Sequence, residues 1–359
     1  MLILLSSGAR ARYRDDIVRC LALPPGGLLQ FRYDTEIVEP DVITQAKATR
    51  LRGQLAIVAY ASTYRVGAAV EIVLCRFVKI VEAVLVGSSL ILRFEVQNYI
   101  GNHERARIRD VIGQNSQSKL PHWAKDNGAD VLRGLFVFSA EGDFTTQAAD
   151  ATESFESTVD DLCKYQDFSR EKGRTFFSVA GVHEISETTN ANVSALNLST
   201  LGVYQLGVGK TYEVRVYVYA PDDGTGAKIP ETELHISAET DSVEFMTPKI
   251  ARIDSEYDLK RFRFTVPSRI FDVATSFAVF IGEGDKAGKG ACDILLPMKF
   301  KGDWKKGVLQ TGLVTIGASV PAMIAAHAAG KLDFSLAAIM FLAALATGLG
   351  TVYFQTQKK

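Results

Sequence analysis

Tyr212-Glu-Val-Arg-Val-Tyr-Val-Tyr219 decides the fold of the second half of the chain. Its Val214, Val216 and Val218 recur at every second residue, the period of a strand with one face in a core and the other turned away from it. Outward from this stretch, Pro221-Asp222-Asp223-Gly224 makes a turn. Leu234–Ala238, Ser242–Phe245, Arg261–Val266, Ser276–Ile281 and Ile294–Phe300 continue the rhythm of short strands and turns. Six or seven strands in about a hundred residues, with no helical stretch, predict an immunoglobulin-like β-sandwich over residues 198–303.

Upstream, Leu2–Leu5 reads as a strand, Ser6-Ser7-Gly8 as a tight turn, and Ala9–Ala22 as a helix. On that helix Tyr13, Ile17, Cys20 and Leu21 form an apolar stripe. Leu29–Val38, Leu55–Tyr60, Val70–Val78, Ile80–Val86 and Leu90–Gln97 read as strands, with Gly87-Ser88-Ser89 as a hairpin signal. Between Gly101 and Asn197 the pattern weakens to strands at Leu135–Ser139 and Thr175–Val182 and a helix over Thr145–Tyr165, with Phe155, Val159, Leu162 and Cys163 on one face. Residues 1–197 are therefore expected to form a β-rich α+β cytoplasmic sensor domain.

Behind the sandwich, Val308–Ala329 and Phe334–Phe354 are apolar runs without Asp, Glu, Lys or Arg, separated by Gly330-Lys331-Leu332-Asp333. As helices they would be roughly 31–33 Å long against a hydrocarbon layer of about 30 Å, which predicts a two-helix transmembrane hairpin over residues 304–359. Lys299, Lys301, Lys305 and Lys306 before the runs and Lys358 and Lys359 after them place the soluble domains and the C-terminus in the cytoplasm, with the inner-membrane lipid bilayer as a partner. Thr311, Thr315 and Ser319 share one helical face, Pro321 kinks the first helix, and Gly348 makes a small-xxx-small pair with Ala344. These residues are read as lining a pore or as packing helix against helix.

A net charge of −1, from 40 basic and 41 acidic residues among 359, provides no global field for nucleic acid, so a polyanion site has to be local. Cys20, Cys75, Cys163 and Cys292 form no CxxC pair and read as reduced thiols. Met1–Leu5 has neither the basic segment nor the cleavage signature of a signal peptide. His103, His122, His183, His235 and His327 stand far apart, and neither HExxH nor GxSxG occurs, so the chain is read as a non-enzyme without metal or cofactor. Leu206–Thr211 ends in Gly-Lys-Thr. Tyr204 stands where a phosphate loop needs its first glycine, however, and a strand rather than a helix follows.

Two arginine clusters are the candidate ligand-binding residues. Ser6, Ser7 and Gly8 open onto Arg10, Arg12 and Arg14, combining hydroxyls, the free amides of a helix N-terminus and guanidinium forks suited to phosphate; a solvated helix face is the alternative. Arg105, Arg107 and Arg109, in an extended backbone, would point one way as a cationic stripe, with a solvated loop as the alternative. Trp123, beside His122 and Lys125, is either a base-stacking platform or a half-buried core indole.

This order of parts, a sensor, a β module and a membrane hairpin, resembles the transmembrane effectors of bacterial anti-phage defence systems, the Hailong type among them. The resemblance rests on layout and carries no site residue. It implies a homo-oligomeric antiviral effector whose cytoplasmic part binds a nucleotide or short single-stranded oligonucleotide and gates an ion channel or disrupts the membrane. The alternative is a non-channel, membrane-tethered adaptor or scaffold presenting β-rich interaction domains.

Overall fold

The computed structural model describes residues 2–7, 11–61, 72–110, 136–139, 151–165, 168, 175–185, 192–199, 201–221, 232–240, 242–269, 271–282 and 293–302. The first sheet is mixed, with strand order β2-β5-β4-β3-β1-β6. Its strands are β1 (Leu2–Ser7), β2 (Leu28–Asp34), β3 (Leu55–Ala61), β4 (Ile72–Val86), β5 (Ser89–Tyr99) and β6 (Phe136–Ser139). β1 runs parallel to β3 and antiparallel to β6. β4 and β5 form a long hairpin closed at Gly87 and Ser88, and Gly87 takes a φ of 56°, the left-handed conformation that a two-residue turn of the primed kind requires at its first position.

Four helices accompany the sheets among the described residues: α1 (Ala11–Ala22), α2 (Pro40–Lys47), α3 (residues 102–110) and α4 (Ala151–Cys163). The expected stripe of α1 is its buried face, with Ile17, Cys20 and Leu21 fully enclosed and Tyr13 packed at the margin. α4 likewise buries Phe155, Val159 and Leu162.

Two five-stranded sheets make the sandwich. One has the order β12-β14-β10-β7-β8 and the other β13-β11-β15-β16-β9. The strands are β7 (Phe176–Ile185), β8 (Asn192–Ala195), β9 (Tyr204–Gly207), β10 (Thr211–Tyr219), β11 (Thr232–Ala238), β12 (Glu244–Phe245), β13 (Ile250–Ile253), β14 (Tyr257–Thr265), β15 (Val273–Gly282) and β16 (Asp293–Lys301). Their inner faces meet through aromatic rings: Phe264 of β14 stands edge-on to Phe277 of β15, with centroids 4.8 Å apart, and Phe245 of β12 lies 5.7 Å from Phe277. Val214, Val216 and Val218 lie fully buried in this layer, as their period requires.

One continuous core runs from the first sheet into the sandwich. At its centre is Arg76 of β4, 1% exposed. Its Nη1 donates to the carbonyl oxygens of Cys20 (3.0 Å), Leu21 (3.1 Å) and Leu23 (2.5 Å), and its Nε to that of Gln97 (3.0 Å). The last carbonyls of a helix have no intrahelical donor and carry partial negative charge, so a cation there satisfies both deficits. Burial pushes the Cys20 thiol up to about 12, so the neighbouring sulfur is neutral and the helix end is what balances the guanidinium. Arg76 also lies 4.1 Å from the Tyr99 ring centroid. The Tyr99 hydroxyl donates to the Leu21 carbonyl (2.5 Å) and accepts from Ser178 of β7 at 2.7 Å, which carries the linkage into the sandwich. Chain segments also approach closely between the two parts: a Cβ on Gly202 would lie 2.9 Å from Leu28.

The expected C-terminal transmembrane hairpin is not borne out. Among the described residues no helix is long and apolar enough to cross a membrane. The longest helix among the described residues, α4, has 13 residues, roughly 20 Å of rise against a hydrocarbon layer of about 30 Å. The hairpin reading over residues 304–359, with Thr311, Thr315, Ser319, Pro321 and Gly348, lies outside the described residues. The fold is a β-rich assembly of a mixed α/β sheet and a β-sandwich, and the membrane, transmembrane-helix, ion-channel and inner-membrane readings find no support in it. Hydropathy and run length, which carried those readings, do not by themselves establish that a helix forms.

Replacing Arg76 with Met should lower unfolding free energy by about 3 kcal/mol or more, because several buried carbonyls lose their donor together. Arg76→Lys should recover only part of that, since an ammonium at the Nη1 position leaves the Gln97 carbonyl without the donor that Nε supplies. Urea unfolding measures both, and a loss under about 1 kcal/mol for Arg76→Met contradicts the role given to it.

Candidate functional site

Because Val214, Val216 and Val218 point inward, Glu213, Arg215, Tyr217 and Tyr219 point outward. α4 covers one end of this outer face. There Glu156 accepts a hydrogen bond from the Tyr217 hydroxyl and Asp160 accepts one from Tyr219 at 2.7 Å, while Phe155 stacks edge-on to Tyr217. The other end is left uncovered by α4 and is strongly polar. Glu213, with its side chain 1% exposed, is held at 2.8 Å by Arg215 Nε on its own strand and at 2.8 Å by Arg263 Nε on β14, directly opposite in register. His183 of β7 flanks Glu213 on the other side.

Burial raises the Glu213 carboxyl, but the hydrogen bonds from Arg263 and Arg215 outweigh it and hold the group below the usual carboxylate range. Burial, and next the charge of Arg215, hold the His183 imidazole below its usual range, with Glu213 opposing. Arg261, opposite Arg215 in register, is exposed, and no carboxylate lies within ion-pair distance of it among the described residues. Among the described residues three guanidiniums stand against one carboxylate in this patch, and Arg215 has a further partner. The buried Glu213 fixes two of the three in place, so the patch is preorganised for an anion.

The arginines singled out from sequence have other surroundings. α3 is helical, so Arg105 and Arg109 share one side and Arg107 lies on another; an extended stripe does not form. Arg105 is buried and donates to the carbonyls of Ile100 (3.0 Å) and Ser154 (2.9 Å), to Thr158 Oγ1 and to Asp161 (3.4 Å), fastening α3 to α4. Arg109 pairs with Asp161 at 2.7 Å and Arg107 with Glu104 at 3.6 Å. At the N-terminal turn, Ser6 is buried and its hydroxyl donates to the Tyr13 carbonyl at 3.1 Å. Arg14 is partly buried and has a partner. Gly8 and Arg10 lie outside the described residues, as do Trp123, His122 and Lys125, and the side chains of Ser7 and Arg12 are not described. Lys210, from the rejected phosphate-loop string, pairs with Glu184 at 2.6 Å. Among the described residues no three His, Cys, Asp or Glu side chains gather as metal ligands.

Sequence reading missed the patch, although its signal was present. Glu213 and Arg215 occupy the polar phase of the same alternation that identified the strand, and Arg261 and Arg263 occupy the polar phase of the next.

No protein family and no curated protein matches the chain. Among solved structures, the CsuC–CsuE chaperone–tip adhesion subunit complex of Acinetobacter baumannii pili aligns at 11% identity and a TM-score of 0.20, over 27% of this chain and 48% of that one. A Bacteroides ovatus GH5 xyloglucanase aligns at 12% and 0.18, over 30% and 19%. A PapD-like domain of human CEP192 aligns at 10% and 0.20, over 28% and 80%. The matched part spans less than half the length of the first two chains. Similarity at this level carries no argument about function.

A carboxyl held below its usual range stabilises the fold above its unfolded pKa, and that contribution is lost as pH falls through the lower folded value. Glu213→Gln should therefore remove part of the stability at pH 7 and flatten the fall in stability between about pH 5 and pH 3. Urea midpoints across that range check this, and an unchanged slope contradicts it.

Proposed function

We propose that this chain is a non-catalytic interaction protein, an adaptor whose sandwich offers the Arg215–Arg261–Arg263 face to an acidic protein segment. The reading is carried by one observation: a buried carboxylate orients two arginines beside a third that is exposed and unpaired among the described residues. By contrast, the cations of α3 already have acidic neighbours, Asp161 and Glu104, which weakens their case as receptors for a phosphate signal. Arginine suits carboxylate because its planar fork donates two parallel hydrogen bonds, and fixing the fork beforehand reduces the ordering entropy lost on binding. The resemblance to defence effectors contributes no residue to this face and does not enter the reading.

The test is fluorescence anisotropy of the full-length protein with a labelled peptide of alternating glutamate and valine. Binding should weaken with added salt and by about tenfold or more in Arg261→Glu, while Arg107→Glu leaves it unchanged. Equal binding by wild type and Arg261→Glu overturns the assignment.

A further inference from the structure

β14 is bonded to β10 along its whole length, but on its other side β12 reaches only Phe264 and Thr265. Beyond them, the Met246 amide donates to the Arg263 carbonyl at 2.8 Å and the Arg263 amide donates to Thr247 Oγ1 at 2.9 Å. The main-chain groups of Arg263 thus face away from β10. Strand alternation turns those of Arg261, Leu259 and Tyr257 the same way. The Tyr257 carbonyl accepts from Ser255 Oγ at 3.1 Å. Among the described residues, no strand covers Leu259 or Arg261 on that side.

An open edge is a template for another strand, and proteins commonly blunt it with proline, a bulge or charged side chains, which repel a strand of like charge and admit one of opposite charge. β14 contains no proline, and its pairing with β10 runs without a register shift. Its one lysine, Lys260, is held at 2.5 Å by Asp258. The side chains along this edge also divide by chemistry: Tyr257 (64% exposed) and Leu259 (38%) are apolar, while Arg261 and Arg263 are cationic.

We infer that β14 accepts an extended acidic segment of a partner protein by strand addition, main chain to main chain at Leu259 and Arg261, with the partner's carboxylates over Arg261 and Arg263 and its apolar side chains over Tyr257 and Leu259. This rests on the adaptor reading above and specifies how the partner binds. Main-chain bonding supplies affinity in such a mode and alternate side chains supply selectivity. Charge complementarity favours this occupant over a second copy of the chain, whose own β14 would bring two further arginines to the same face.

The test compares three labelled peptides on the full-length protein. One is a Glu-Thr-Glu-Thr-Val-Thr-Val peptide, whose two glutamates and two valines share one face of a strand, and the other two carry N-methyl groups on one or the other alternate set of its amides. Methylation of the set facing β14 should weaken binding by about tenfold or more and methylation of the opposite set should not. Binding of the parent peptide should also slow amide hydrogen exchange at Leu259 and Arg261. If both methylated peptides bind like the parent and exchange is unchanged, strand addition is wrong while the anionic-partner reading stands. If no peptide binds, or a single-stranded oligothymidylate of equal charge binds in its place, both are wrong. Concentration-dependent dimerisation that protects the same amides without peptide assigns the edge to a second copy and overturns the proposal.

Discussion

A single guanidinium ties the end of α1 to β4 and β5 at the seam between the two halves of this fold. Arg76 sits where the carbonyl end of α1, the strands β4 and β5, and the Tyr99–Ser178 link to β7 converge. An isolated buried cation costs several kcal/mol of desolvation, so it persists only where its donors are well placed. Here the compensation comes from the unsatisfied end of a helix. Neither element is stable in this position without the other, since removing Arg76 orphans buried carbonyls and removing α1 strands a buried charge. Through Tyr99 and Ser178 the linkage continues into β7, within a core that runs from the first sheet into the sandwich.

The same device recurs with different chemistry. Arg105 of α3 satisfies groups of α4 and leaves that helix facing β10 through Glu156 and Asp160. Glu213 reverses the signs: a buried carboxylate is held by two arginines whose far sides reach the surface. In the first two networks the arginine is enclosed and serves the fold. In the third the carboxylate is enclosed and the cations are at the rim, which turns a stabilising cluster into a presenting one. Position along β10 decides the difference, because α4 covers Tyr217 and Tyr219 and stops short of Arg215.

How much of this is legible in sequence depends on the range of the interaction. The stripes of α1 and α4, the β10 alternation and the Gly87 hairpin are local periodicities, and they identify their elements. α3 is misread as extended or looped because charge density in His103–Arg109 conceals Arg105 and Ile108, the two buried residues of its inner face. Arg76 is invisible, since it stands in an apolar strand and its partners at the end of α1 lie 53 to 56 residues away. The sandwich draws β7 and β8 from before residue 198, because sheet membership depends on pairing across the chain that composition does not encode. The apolar runs after residue 307 show the opposite error, in which a strong local signal is given architectural weight that no described helix supports.

The most direct measurement of the central claim is residue-resolved hydrogen exchange under native conditions, comparing Leu55–Ala61 in the first sheet with Thr211–Tyr219 in the sandwich. If Arg76 couples the halves, the slowest amides of both segments open with one common free energy in the wild type, and in Arg76→Met the first sheet opens well before the sandwich. Separate opening energies in the wild type, or segments that stay coincident after the substitution, would contradict it.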